Sequence, residues 1–227
     1  MLKNKSFTVI ALSSLLIMSS LLIGLSSVSA KGFKPGKERW SIKTSLPVNA
    51  DLANPTFIEF SKIINLEDPS DVTKNDKRYQ SKRIPKFQNA LNIKEGDIVS
   101  TRGWLHLVAA ESDGDYHIQI SGSQNSGDNC LIVEVPTPAS PFVTSHEVQS
   151  TSSKVREFIR SKLLRGKEPS VRGSIMKHPP YVTVTGQLFY DDAHVGDPPR
   201  GKKGMHAATL WEIHPITDIS FAPKPAE

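Results

Sequence analysis

The chain has 227 residues, a formal net charge of +5 and a single cysteine, Cys130. That length suits one domain, or one domain with long flanks. A composition of 37% hydrophobic and 22% charged residues excludes a polytopic membrane protein, a collagen-like chain and a wholly disordered tail, and one cysteine excludes an intrachain disulfide or a Cys-only zinc site.

Lys3 and Lys5 precede an uncharged apolar run, Phe7 to Leu25, and Val28-Ser29-Ala30 offers the small residues that a signal peptidase reads. Residues 1–30 therefore read as a secretory signal peptide. The expectation is export to the periplasm or the extracellular space, with no membrane anchor left after cleavage. An uncleaved anchor is the alternative, because the run is close to spanning length. Cleavage removes two lysines and no acids, leaving 197 residues at a net charge of +3. Mild basicity of that size is a weak argument for a polyanionic partner.

Residues 31–95 read as an irregular extension packing on the domain that follows. Gly32, Pro35, Gly36, Pro47 and Pro55 punctuate its first part, which predicts a tether as far as about residue 55. Thr56 to Leu66 is a short apolar patch of undecided helix or strand character. Asp68 to Pro85 is polar and carries Lys74, Lys77, Arg78, Lys82 and Arg83, with Lys86 just beyond, which reads as a solvated loop wrapped over the domain.

From Gly96 the pattern predicts strands over 97–110, 116–121 and 130–135. In the second, Tyr116, Ile118 and Ile120 alternate with His117 and Gln119. A helix is predicted over about 152–165, with Val155, Phe158, Ile159 and Leu163 forming one stripe and Gly166 past its end. Two further strands follow, 181–190 and 207–221, with a Gly/Pro-rich loop at 191–204 between them and a frayed tail at 222–227. Three strands, a helix and two strands is the chain order of an OB-like barrel, β-β-β-α-β-β, over residues 96–221. Gly103 and Gly186 would supply the sharp bends that a small barrel needs. The predicted fold class is thus mainly β, a five-stranded OB-like barrel with an irregular N-terminal extension.

Acids and histidines recur inside or beside the apolar strands: Asp113, Asp115 and His117 near the first hairpin, Glu134 in Leu-Ile-Val-Glu-Val, then Asp191, Asp192, His194, His206, Glu212 and His214. Asp115 and His117 lie two apart and share a strand face, as do Glu212 and His214. Such groups must find a partner, a water or a ligand if they are buried. Carboxylates converging with imidazoles suit a divalent cation, and histidine moves the preference from calcium or magnesium toward zinc, manganese or iron. The candidate cation ligands are Asp113, Asp115, Asp191 and His194. The candidate acid–base residues are His117, Glu134 and His214. A plain network of His–carboxylate hydrogen bonds that fixes loops is the competing expectation.

Other chemistries lack their motifs. There is no Gly-x-Ser-x-Gly elbow. Gly201-Lys202-Lys203-Gly204 lacks the upstream glycine of a phosphate loop. Cys130 stands at a strand start and reads as packing. The basic helix flank (Lys154, Arg156, Arg160, Lys162, Arg165) would suit a phosphate backbone, but it reads first as a solvated face. Few aromatics are left over to stack bases.

Asp113-Gly114-Asp115, an alternating strand, and then Leu131-Ile132-Val133-Glu134-Val135-Pro136 resemble the opening of the staphylococcal-nuclease-type OB-fold. That resemblance implies Asp115 and Glu134 as acidic cation ligands. Val135 and Thr137 stand where that family has a threonine and a glutamate, and Asn129 where it has an arginine. Asp-Gly-Asp-Tyr-His, Gly-Gln-Leu-Phe-Tyr-Asp-Asp-Ala-His and Trp211-Glu212-Ile213-His214-Pro215 also look like a group of exported bacterial proteins of unknown function, over most of the mature chain. Together these readings predict an exported OB-fold module binding an unidentified ligand or protein, with nucleic acid a weaker partner. A divalent-cation-dependent hydrolase of phosphodiester or related bonds is the alternative.

Overall fold

The computed structural model describes residues 38–225; the expected signal peptide at 1–30 and the end of the tail lie outside the described residues. Five strands form the body: β1 (Ile98–Ala110), β2 (Tyr116–Ser121), β3 (Cys130–Val135), β4 (Tyr181–Tyr190) and β5 (Ala207–Phe221). β1 pairs antiparallel with β2, and β2 with β3; β3 runs parallel to β5, and β5 antiparallel to β4. β1 is long enough to serve two neighbours. Its second half pairs with β2, while Ile98 to Trp104 pair with β4 and close the barrel. The mainly β, five-stranded OB-like barrel is therefore present, with two-residue strands at Thr56–Phe57 and Ser174–Ile175 added on β1. Among the described residues no helix is long and apolar enough to cross a membrane.

Strand alternation decides what lies inside. Tyr116, Ile118, Ile120, Leu131, Val133, Leu188, Trp211 and Ile213 fill the core. Their neighbours His117, Gln119, Glu134, Glu212 and His214 point to the opposite face, as a period of two requires. The bend expected at Gly186 is there. The β4–β5 register slips on both sides of it, and a Cβ would stand 2.3 Å from the Pro215 carbonyl oxygen.

Helix α1 spans His146–Phe158, followed by a π-turn at Ile159–Leu163, and packs against β5. It begins six residues before the predicted start. Its buried residues are Val148, Ser152 and Val155, so a serine occupies the middle of the stripe and hides the first turns from a search for apolar periodicity.

The N-terminal segment is not a tether from residue 38 onward. Arg39 is buried with a left-handed backbone (φ 50°), and Trp40–Lys43 forms a helical turn. The Arg39 guanidinium donates to both carboxylate oxygens of Glu95, at 2.7 and 2.6 Å, and to the carbonyls of Tyr79, Lys82 and Tyr190. Glu95 in turn accepts from the Ile84 and Tyr190 amides. Every charged atom of this pair is satisfied, which burial demands. The basic stretch is likewise tied down rather than simply solvated. Val72, Asp76 and Ile84 are buried, and Arg83 donates to Gln187 Oε1 at 2.6 Å.

Candidate functional site

The outward face of β2, β3 and β5 would be solvent-exposed in a bare barrel. Here the segment around Lys43 and the loop between β4 and β5 help to enclose a cleft of about 620 Å³ over it, a volume typical of small-ligand sites. Gln119 fastens the loop. Its Nε2 donates to the Met205 carbonyl, and its Oε1 accepts from the Lys202 amide at 2.8 Å.

His117 on β2 stands opposite Glu134 on β3 in the strand register. His117 Nδ1 lies 2.8 Å from Glu134 Oε1 and 3.7 Å from Glu111 Oε1. Beneath them His214 is fully buried. Its Nε2 is 3.4 Å from Asp115 Oδ2, and its Nδ1 is 3.4 Å from Glu134 Oε2 and 3.7 Å from Glu212 Oε2. These are ion-pair approaches without hydrogen-bond geometry: both ring nitrogens of His214 and Asp115 Oδ2 lack a hydrogen-bond partner. The other oxygen of Asp115 accepts from the Thr137 amide at 3.2 Å. Three buried polar atoms without hydrogen bonds are costly for a folded chain, and a cation bound among them would remove that cost. Ligand atoms of Asp115, Glu134 and His214 lie within 4.8 Å of one another, as do those of Glu111, His117 and Glu134.

The remaining predicted residues are nearby but held differently. Asp113 faces Lys43 Nζ at 3.8 Å, and its Oδ1 accepts from the Asp115 amide. Asp191 is clamped by Arg200 Nη1 at 2.6 Å, and Arg200 also reaches Glu212. His194 sits more exposed, 3.8 Å from Asp191 and 3.2 Å from Asp197. His117, Glu134, His214 and Asp115 thus come together, while Asp113, Asp191 and His194 occupy the surrounding wall. Lys43 and Arg200 were missed by sequence reasoning. Each comes from an irregular segment whose composition gave no sign of the contact. Glu111, the residue just after β1, and Glu212, noted for its strand position, also belong here.

Charge explains the ionisation pattern. Six carboxylates (Glu111, Asp113, Asp115, Glu134, Asp191, Glu212) face three permanent cations (Lys43, Arg200, Lys202), an excess of three negative charges before either histidine takes a proton. Burial pulls His214 down, but Asp115 and Glu212 outweigh it and push the imidazole up to about 9. Burial likewise opposes the charge on His117, and Glu134 reverses it, so that pKa is raised. Burial would lift Glu134, yet the His117 hydrogen bond and the His214 charge hold it well below the carboxylate range. Burial and then the Asp115 charge raise Asp113 to about 6. A divalent cation would relieve the same excess that protonated histidines relieve. The two buried carboxylates and one imidazole form a mixed oxygen–nitrogen donor set that fits manganese, zinc or iron.

Comparison with protein families and with curated proteins gives no match for this chain.

Proposed function

We propose that this protein is an exported OB-fold binding module whose cleft floor is built around a divalent cation held by Asp115, Glu134 and His214. One observation carries the reading: the fully buried His214 with two unpartnered ring nitrogens, set between Asp115 and Glu134. Asp115 and Glu134 are also the positions that the nuclease-type resemblance assigns to acidic ligands. The cation would tie the end of the first hairpin turn, β3 and β5 to one point. That suits a chain with a single, buried cysteine in an oxidising compartment, where small domains otherwise rely on disulfides. Lys43, Arg200 and Lys202 line the cleft but are each paired with a carboxylate there, so an anionic ligand would bind through the cation rather than through them.

A phosphodiesterase-type hydrolase is the second reading, favoured by one further observation: His117 and Glu134 both line the open cleft. A water oxygen would bond to phosphorus as the ester P–O bond breaks, the water's proton would pass to neutral His117, and the leaving ester oxygen would take its proton from solvent water. Chelation followed by readdition of manganese or zinc tests the first reading through the melting temperature. Turnover of a bis-nitrophenyl phosphate tests the second. A melting temperature indifferent to both treatments overturns the cation site.

A further inference from the structure

Gln119 fixes the tautomer of His117. Its amide cannot be turned round, because Oε1 accepts from the Lys202 amide at 2.8 Å and Nε2 donates to the Met205 carbonyl at 3.2 Å. The oxygen therefore also faces His117 Nε2, 3.3 Å away, so that nitrogen carries the hydrogen. The other nitrogen, Nδ1, faces two carboxylates, Glu134 Oε1 at 2.8 Å, within hydrogen-bond reach, and Glu111 Oε1 at 3.7 Å. Three acceptors cannot face one another bare; a proton or a cation must stand among them. An imidazole whose far N–H is tied to a fixed acceptor is the usual arrangement around a metal-ligating histidine.

The geometry points to a second divalent-cation position, formed by Glu111, His117 and Glu134 on the cleft side, with Glu134 bridging it to the buried position. Glu134 is suited to bridge because its two oxygens face opposite ways, Oε1 to His117 and Oε2 to His214. The two positions differ in access. Asp115 and His214 lie beneath the floor, whereas Glu111, His117 and Glu134 all line the cleft. The cleft-side cation is thus the one with coordination positions open to a ligand, and carboxylate-bridged pairs of this kind serve as clamps for phosphoryl oxygens. Lys202 Nζ, 3.0 Å from Glu111 Oε1, competes with the cation for that carboxylate.

This inference rests on the buried position proposed above, so the experiment reads the two separately. Metal-free mature protein is titrated with Mn²⁺, following stoichiometry by calorimetry and coupling by electron paramagnetic resonance. The wild type takes two equivalents and gives the spectrum of a spin-coupled pair. Glu111→Gln retains one equivalent with an uncoupled signal. Lys202→Met keeps the stem but removes the competing charge, and tightens the weaker equivalent roughly two- to fivefold, the worth of one partly exposed ion pair. One uncoupled equivalent in all three proteins overturns the second position and leaves the buried one standing. Two equivalents that survive Glu111→Gln and ignore Lys202→Met place the second cation elsewhere and also overturn it. No bound Mn²⁺ in any protein overturns both.

Discussion

Asp115→Asn removes the charge from the buried position with little change of shape. The amide oxygen can still accept from the Thr137 amide, as Oδ1 does at 3.2 Å, while the atom facing His214 Nε2 at 3.4 Å becomes an NH₂ donor. A ligand that binds only the folded state at a hundred times its dissociation constant stabilises by about 2.7 kcal/mol. For a domain of this size each kcal/mol moves the melting temperature by about 2–4 °C. Readdition of zinc or manganese to chelated wild type should therefore raise it by roughly 5–10 °C. In Asp115→Asn the rise should fall to about 1 °C or less, because the donor set loses an ionised ligand. Differential scanning fluorimetry in chelator, with and without metal, makes the comparison. An equal rise in wild type and variant would refute the reasoning, since it would locate the cation away from Asp115.

Arg39→Ala leaves Glu95 buried without its partner and should cost about 3–5 kcal/mol in urea unfolding; the double variant Arg39→Met with Glu95→Leu should recover much of that loss. Gly186→Ala drives a methyl to 2.3 Å from the Pro215 carbonyl oxygen. It should destabilise by at least 2 kcal/mol, in the upper range for overpacking, and a neutral result would contradict the tight β4–β5 bend. In chelator, the stability that protonated His214 contributes is fully present below its unfolded value near 6.5 and is lost as pH rises through about 9. Urea midpoints should fall across that window in the metal-free protein and rise with pH when cation is present, because the cation takes the neutral imidazole. Parallel trends with and without metal would contradict competition for His214.

The barrel was legible because its signals are local. β2 alternates Tyr116, Ile118 and Ile120 against His117 and Gln119, and the structure keeps that alternation residue by residue. The chain order of strands and helix then allowed few topologies. Part of the site was legible for the same reason. His117, Glu134 and His214 are polar residues inside otherwise apolar strands, and such residues need a partner wherever a covering layer buries them. What covers them was not legible. Arg39, Lys43 and Arg200 lie in stretches punctuated by glycine and proline, and their partners, Glu95, Asp113 and Glu212, are fixed by tertiary contact rather than by spacing. The early start of α1 was hidden by Ser152, a polar residue on the buried stripe. Asp191 and His194 looked equivalent to Asp115 in composition. The cations beside them set Asp191 apart: Arg200 holds it at 2.6 Å, while Asp115 Oδ2 has no hydrogen-bond partner.

Elemental analysis of the purified protein tests the central claim most directly. The account predicts bound manganese, zinc or iron at no less than one equivalent per chain, removed by chelator and absent from Asp115→Ala prepared in the same way. A metal-free wild type that takes up none of these ions on titration would contradict it.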